Sequence, residues 1–81
     1  MQLEAWHIYQ DFYGKHTLRY PCTTPQEAAA WLAGVAAAQV DDDNIEWNAQ
    51  GLETRADDSS EWEEWEDEEG RDIDEWKEAN P

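Results

Sequence analysis

The chain has 81 residues and a formal net charge of −16, from 21 acidic and five basic residues. This length is typical of one small domain, and the charge makes nucleic acid and anionic membranes poor direct partners. A single cysteine excludes an internal disulfide, and the sequence has no signal-peptide pattern and no apolar run long enough to span a membrane. We therefore expect one soluble, cytoplasmic domain over residues 1–81 that binds a strongly basic protein surface.

The N-terminal part predicts a β-hairpin over residues 2–22. Residues 3–10 alternate with the two-residue period of a strand and carry apolar side chains on both faces, so both faces should be partly covered. A turn at 12–15 contains Gly14, which can adopt a positive φ. Pro21 places the second strand at a sheet edge, because proline cannot donate a ladder hydrogen bond.

A helix is predicted from Pro25 to Gln39. Thr24 can cap it and Glu27 can complete a capping box, and the run that follows is rich in alanine. We expect Trp31 to be the main anchor of this helix on the hairpin. The stripe at helical spacing consists of Ala28, Trp31, Leu32, Val35 and Gln39.

Two more strands are predicted after the helix. Ile45, Trp47 and Ala49 alternate as a third strand, and a turn at 50–51 leads into a fourth strand over 52–56. Residues 1–56 therefore predict a hairpin-helix-hairpin core in ββαββ order. The fold class is α+β, with a small antiparallel sheet packed on one Ala-rich helix.

The acidic, Trp-rich residues 57–81 allow two interpretations. In one, Ser60 caps a helix; in the other, a turn at 68–71 joins two strands. The three-residue spacing of Ile73 and Trp76 favours a short terminal helix. We expect an acidic hairpin followed by a short helix.

No pattern indicates catalysis, a cofactor or a metal. Residues 41–46 resemble a calcium loop but lack the glycine at the sixth position and the glutamate at the twelfth. Strand pairing could bring His7 and His16 together as metal ligands, although two half-buried strand histidines are the favoured interpretation. Cys22 and His16 share a strand face as a nucleophile and a base would, but no oxyanion donor accompanies them. We expect a non-enzymatic protein with no metal.

The acids are concentrated in the second half of the chain. Residues 41–81 hold 18 acids and three bases, and their net charge of −15 matches about 25 Å of DNA duplex, or about seven to eight base pairs. A solvating tail has few aromatic residues. Here the run over 61–69 interleaves acids with Trp62 and Trp65. We expect Trp6, Trp31 and Trp47 in the core and the later tryptophans partly at an interface.

The acid run Glu61-Trp62-Glu63-Glu64-Trp65-Glu66-Asp67-Glu68-Glu69, in so small a domain, resembles phage-encoded DNA mimics. These include antirestriction proteins, uracil-DNA glycosylase inhibitors and anti-CRISPR proteins. The hairpin, Ala-rich helix and acidic sheet look most like a type I anti-CRISPR protein. The resemblance covers residues 41–81 by size and charge and includes no residue motif. It implies a viral protein that occupies the DNA-binding surface of the Cascade surveillance complex in the host cytoplasm.

The functional hypothesis is a DNA-mimic inhibitor that acts by protein–protein interaction. It would block the nucleic-acid-binding surface of a basic host defence complex, without binding nucleic acid or membrane itself. Homodimerisation would double the charged face. The residues expected to bind the partner are Asp57, Asp58, Glu61, Trp62, Glu63, Glu64, Trp65, Glu66, Asp67, Glu68, Glu69, Asp72, Asp74 and Glu75.

Two alternatives come from other functional classes. A halophile protein would carry acids only as a surface adaptation, but it would spread them over all segments, whereas residues 1–40 hold three. An acidic chaperone or adaptor for a basic protein shares the electrostatics. Broad binding to basic proteins, rather than competition with DNA for one of them, would distinguish it.

Overall fold

Four antiparallel strands and two helices make up residues 1–80, which the computed structural model describes. The strands are β1 (Gln2–Asp11), β2 (Gly14–Cys22), β3 (Trp47–Arg55) and β4 (Glu63–Glu64), and the helices are α1 (Pro25–Gln39) and α2 (Ile73–Ala79). The sheet order is β2-β1-β3-β4, so β2 and β4 are the two edges. The α+β class and the ββαββ order of the first five elements are as the sequence predicts.

The first hairpin is confirmed. β1 and β2 pair from Leu3 opposite Cys22 to Asp11 opposite Gly14, which leaves a two-residue loop. Gly14 has a φ of +130°, which glycine adopts readily and which residues with a Cβ atom rarely adopt. Pro21 lies near the end of the edge strand β2, as expected.

The predicted turn at 50–51 is wrong, because β3 runs unbroken from Trp47 to Arg55. Gly51 lies under the indole of Trp6, where an added Cβ would come within 2.8 Å of the ring atom Cζ2. Glycine is thus required by a close approach across the sheet rather than by a turn. The fourth strand is instead β4, which pairs with Glu53 and Thr54.

The helix α1 begins as predicted. The Thr24 hydroxyl accepts a hydrogen bond from the Glu27 amide at 3.2 Å, and the Glu27 carboxylate accepts one from the Thr23 amide at 2.9 Å. The predicted anchor is wrong, however: Leu32 is fully buried, whereas Trp31 is half-buried. The Trp31 ring stacks on Tyr20 of β2 at 5.5 Å, so it covers the margin of the sheet and not its centre.

The core lies between α1, α2 and one face of the sheet. Its buried members are Leu3, Ala5, Ala28, Leu32, Leu52, Trp65 and Ile73. Two of the three tryptophans expected here, Trp6 and Trp31, are only half-buried, and Trp47 is 44% exposed. Trp65 is 8% exposed and is the tryptophan that lies in the core. The acidic part of the chain therefore contributes directly to the core.

Candidate functional site

The acidic segment, defined here as residues 57–75, runs along the β4 edge of the sheet and on to the start of α2. It holds 12 carboxylates and one base, Arg71. All 12 carboxylates are among the predicted partner-binding residues. The opposite edge of the sheet, β2, carries no acidic residue.

Trp65 fixes the acidic segment to the rest of the molecule. Its backbone amide donates to the Leu52 carbonyl at 2.9 Å, and its ring packs edge-to-face on Trp76 with 6.5 Å between centroids. With 8% of its surface exposed, Trp65 faces the core and not a partner. Full burial of such a ring removes about 150–250 Å² from water, so this contact opposes detachment of the segment.

Trp62 is engaged by arginines of the same chain. The guanidinium carbon of Arg55 lies 4.3 Å from the Trp62 ring centroid, and that of Arg19 lies 5.7 Å away. Arg19 also donates to Glu4 and, at 2.6 Å, to Glu53. The hydrogen bond with Glu4, together with that to Glu53, raises the pKa of Arg19 above its usual value. Cation–π contacts therefore hold Trp62 on the face of the sheet that no helix covers.

Hydrogen bonds from nearby backbone and hydroxyl groups to Asp57 and Asp72 fix the backbone of the acidic segment at a turn and at the start of α2. Asp57 accepts hydrogen bonds from the Ser59 amide at 3.0 Å and the Ser59 and Ser60 hydroxyls at 2.8 and 3.0 Å. The Ser59 side-chain bond, with the others, lowers the pKa of Asp57. Asp72 caps α2 by accepting from the Glu75 amide at 2.9 Å. These two carboxylates have a structural function besides their charge.

Asp67 closes the turn before α2. Its carboxylate accepts from the Glu69 amide at 2.9 Å, the Arg71 amide at 2.9 Å and the Arg71 Nε at 2.7 Å. The backbone hydrogen bond from Arg71 is the main reason that the pKa of Asp67 lies below its usual value. Gly70, with a φ of +79°, allows the chain to turn here.

The other carboxylates of the acidic segment face the solvent. Asp58 accepts from Arg55 at 3.4 Å, and Glu69 lies 3.5 Å from the Arg71 guanidinium. Within the acidic segment, seven carboxylates neither accept a hydrogen bond from any backbone or side-chain group of residues 1–80 nor form a salt bridge with one. They are Glu61, Glu63, Glu64, Glu66, Glu68, Asp74 and Glu75. An ordered backbone thus presents charges that the chain itself leaves uncompensated.

A cleft of about 320 Å³ opens beside β3 where β4 ends. The Trp6 ring lies on one side, and the rest is lined by residues of β3, by β4 and by the start of α2, of which four are acids. An aromatic face next to several carboxylates suits an extended cation such as an arginine side chain. The acids that line the cleft are Glu53, Glu64, Asp72 and Asp74.

The acids of the second half do not form one surface. Asp41–Asp43 and Glu46 lie in the connection from α1 to β3, and the Glu46 amide donates to the Gln10 carbonyl at 2.8 Å, near the turn of the first hairpin. The acidic segment begins at the other end of β3. The 18 acids of residues 41–81 are therefore divided between a connection with four acids and the acidic segment with 12, and the remaining two are Glu53 in β3 and Glu78 in α2.

The two histidines do not meet. His7 is fully buried, and its ring nitrogens lie 2.9 Å from the Gln50 side-chain oxygen and 2.8 Å from that of Gln39. A neutral imidazole can donate to one of these oxygens, and the other amide, with its oxygen and nitrogen exchanged, can donate to the second ring nitrogen. His16 lies 3.0 Å from Asp11 and stacks on Tyr9, which stands between the two histidines. His7 is therefore fully buried, and not half-buried as expected.

Cys22 and His16 are also apart. They lie six residues from each other on β2, about 20 Å along an extended strand. Burial raises the pKa of the Cys22 thiol, which disfavours the nucleophilic thiolate. No set of three His, Cys, Asp or Glu side chains among residues 1–80 is arranged to hold a metal ion.

Replacement of Asp67 by asparagine tests whether the negative charge of the Asp67 carboxylate stabilises the turn before α2. Because its folded pKa lies below the ordinary 3.8, the carboxylate stabilises the fold above pH 3.8, and this contribution is lost as the pH falls through the folded pKa. Asp67→Asn should therefore lower the free energy of unfolding at pH 7, and the deficit should shrink below pH 3.8. Urea unfolding at a series of pH values measures it. Exposed Glu68→Gln is the control and should show little change; a deficit independent of pH would contradict the assignment.

None of the helices within residues 1–80 is long and apolar enough to cross a membrane. No protein-family model matches the chain, and neither a curated protein nor a solved structure is significantly similar to it.

Proposed function

We propose that this protein is a non-enzymatic inhibitor that presents its acidic segment, in place of nucleic-acid phosphates, to the basic groove of a host defence complex. The observation that carries the proposal is the set of seven exposed, uncompensated carboxylates on a backbone that is fixed to the core. Trp65 supplies the main attachment, through its burial and its hydrogen bond to Leu52.

The charge of the acidic segment is of the magnitude that a short duplex presents. Its net charge is −11, from 12 acids minus one arginine. On the scale of one charge per ~1.7 Å, this corresponds to about 19 Å of duplex, or about five to six base pairs. The acidic segment therefore matches a shorter duplex than the roughly seven to eight base pairs expected for residues 41–81. A basic groove would be reached by electrostatic steering, and binding would weaken with salt as DNA binding does.

Order in the acidic segment favours one partner over many. A flexible acidic chain binds basic clients broadly, whereas a preorganised surface loses less entropy when it binds one complementary groove. Asp57, Asp67 and Asp72 each order the local backbone by hydrogen bonds. This arrangement supports a specific inhibitor more than an acidic chaperone.

The resemblance to type I anti-CRISPR proteins makes a purified Cascade surveillance complex the first target to assay. A restriction enzyme and a uracil-DNA glycosylase represent the other classes of DNA mimic that the sequence resembles. In each case, labelled target DNA is bound first and this protein is titrated in at 50, 150 and 300 mM salt.

We expect displacement of DNA from one of the three targets, with an inhibition constant that rises steeply with salt. A panel of unrelated basic proteins, such as histones and lysozyme, gives the comparison. Equal affinity for that panel would support the chaperone alternative and overturn the proposal. No displacement from any of the three targets would overturn it as well.

A further inference from the structure

We infer that the cleft beside β3 is a guanidinium site, which takes one arginine side chain of the protein that this chain inhibits. The inference rests on the proposed function for the identity of the partner, whereas binding of a guanidinium group to the cleft is measurable without any target protein. Four features carry it: a fixed aromatic wall, two uncompensated carboxylates, an open strand edge, and a cation–π arrangement of the same kind elsewhere in the chain.

The aromatic wall of the cleft is the Trp6 indole, which is held in place by the sheet. The ring lies so close to Gly51 that an added Cβ there would come within 2.8 Å of Cζ2 and 3.0 Å of Nε1. Trp6 is half-buried, so part of its ring remains accessible from the cleft. A planar guanidinium stacks on such a ring, and a ring that is already fixed loses little entropy when it does so.

Two of the four acids that line the cleft are free to bind a cation. Glu53 accepts from Arg19 at 2.6 Å, and Asp72 caps α2 by accepting from the Glu75 amide at 2.9 Å. Glu64 and Asp74 are exposed and belong to the seven uncompensated carboxylates. No lysine or arginine within residues 1–80 lines the cleft, so a cation that neutralises these two carboxylates there comes from outside the chain.

The edge of β3 is open where it borders the cleft, because β4 pairs only with Glu53 and Thr54. The Leu52 carbonyl points to this side of the strand, since it accepts from the Trp65 amide. Backbone groups of an antiparallel strand alternate with a period of two, so the carbonyl of Gln50 points the same way, toward the cleft that Gln50 lines. It is a further acceptor for a guanidinium, whose five N–H donors exceed what one carboxylate can accept.

The chain itself uses this chemistry at Trp62. There the guanidinium carbon of Arg55 lies 4.3 Å from the ring centroid, and Arg55 also donates to Asp58 at 3.4 Å. Trp6 likewise stands beside carboxylates, in a cleft whose volume of about 320 Å³ is at the lower end of the range for small-ligand pockets. A single side chain therefore suits it, and arginine suits it better than lysine, whose compact ammonium neither stacks on a ring nor forks between acceptors.

An NMR titration of the full chain with Nα-acetyl-arginine methylamide, up to 50 mM at a constant ionic strength of 200 mM, tests the inference. We expect saturable shifts of the Trp6 indole N–H and of the Gly51 amide, the former assigned by its loss in Trp6→Leu. The corresponding lysine derivative should bind about tenfold more weakly. The neutral citrulline derivative should give no saturable shift, because it lacks the charge that the carboxylates attract.

Glu64→Gln combined with Asp74→Asn should weaken binding of the blocked arginine about tenfold, and Trp6→Leu should weaken it about fivefold. The matched control is Glu61→Gln combined with Glu68→Gln, which removes the same charge from the acidic segment outside the cleft and should leave binding unchanged. All four acids are exposed, so circular dichroism should show an unchanged fold in both pairs.

Absence of a saturable shift at Trp6 would overturn the inference. So would equal affinity for the lysine derivative, or an equal loss from the control pair. In displacement of DNA from the target, the cleft pair should also weaken inhibition more than the control pair does. A chain that binds the blocked arginine but displaces no DNA would lose the proposed function and the identity of the partner while the site stands; inhibition without binding of the blocked arginine would remove the site alone.

Discussion

Reversal of four exposed acids of the acidic segment to lysine is expected to weaken binding to the target complex by about 100- to 1000-fold. Four rim charges at about 1 kcal/mol each would give a loss of this size. The fold should be as stable as the wild type or more stable, because the change relieves repulsion in a chain of charge −16. The substitutions are Glu61→Lys, Glu63→Lys, Glu64→Lys and Glu66→Lys, and displacement of DNA measures the loss.

The connection between α1 and β3 offers a matched control with the same change in net charge. Its four acids are exposed and lie at the other end of β3. Reversal of these should weaken binding less than about tenfold, through the long-range field alone. The control substitutions are Asp41→Lys, Asp42→Lys, Asp43→Lys and Glu46→Lys. Equal losses from both sets would show that net charge, and not the acidic segment, determines binding, and the proposed interface would then be wrong.

Replacement of Trp65 by alanine should lower the free energy of unfolding by about 3–5 kcal/mol, the usual cost of removing a large buried ring. Trp65 also holds the acidic segment against β3 and Trp76, so binding to the target complex should fall even though every charge is kept. Trp65→Leu keeps more of the apolar volume and should show a smaller loss of both stability and binding. Urea denaturation and displacement of DNA, at a temperature where each variant is folded, measure the two effects.

Trp47→Ala is the control for the loss of a tryptophan. Trp47 is 44% exposed at the other end of β3, so its removal should cost about 1 kcal/mol or less and leave binding unchanged. If Trp65→Ala bound the target as tightly as the wild type, order in the acidic segment would be irrelevant. The protein would then act as a flexible polyanion, and the acidic-chaperone alternative would replace the proposed inhibitor.

The first hairpin and α1 could be predicted because local sequence determines them. A two-residue period, a glycine at the turn and a capping pair act within a few residues, and the structure contains each of them where the sequence places it. The short terminal helix follows for the same reason, since the spacing of Ile73 and Trp76 is a local signal. The α+β class follows from the order of these elements.

The second hairpin was misplaced because glycine has two uses that the sequence does not distinguish. Gly51 was interpreted as a turn residue, yet it is a strand residue on which Trp6 packs. Trp6 lies 45 residues earlier in the sequence, and only the pairing of β1 with β3 brings the two together. No pattern within residues 45–56 contains that information.

The sequence by itself determined the magnitude of the charge, its concentration after residue 40 and the helical and hairpin segments that local patterns specify. The tertiary structure alone decided which tryptophan enters the core, and that the acids after residue 40 form two separate surfaces. The reason is physical: Trp62 and Trp65 stand in nearly identical acidic surroundings in the sequence. They flank the two-residue strand β4 on its two sides, three positions apart, so that one lies against Arg55 and the other in the core.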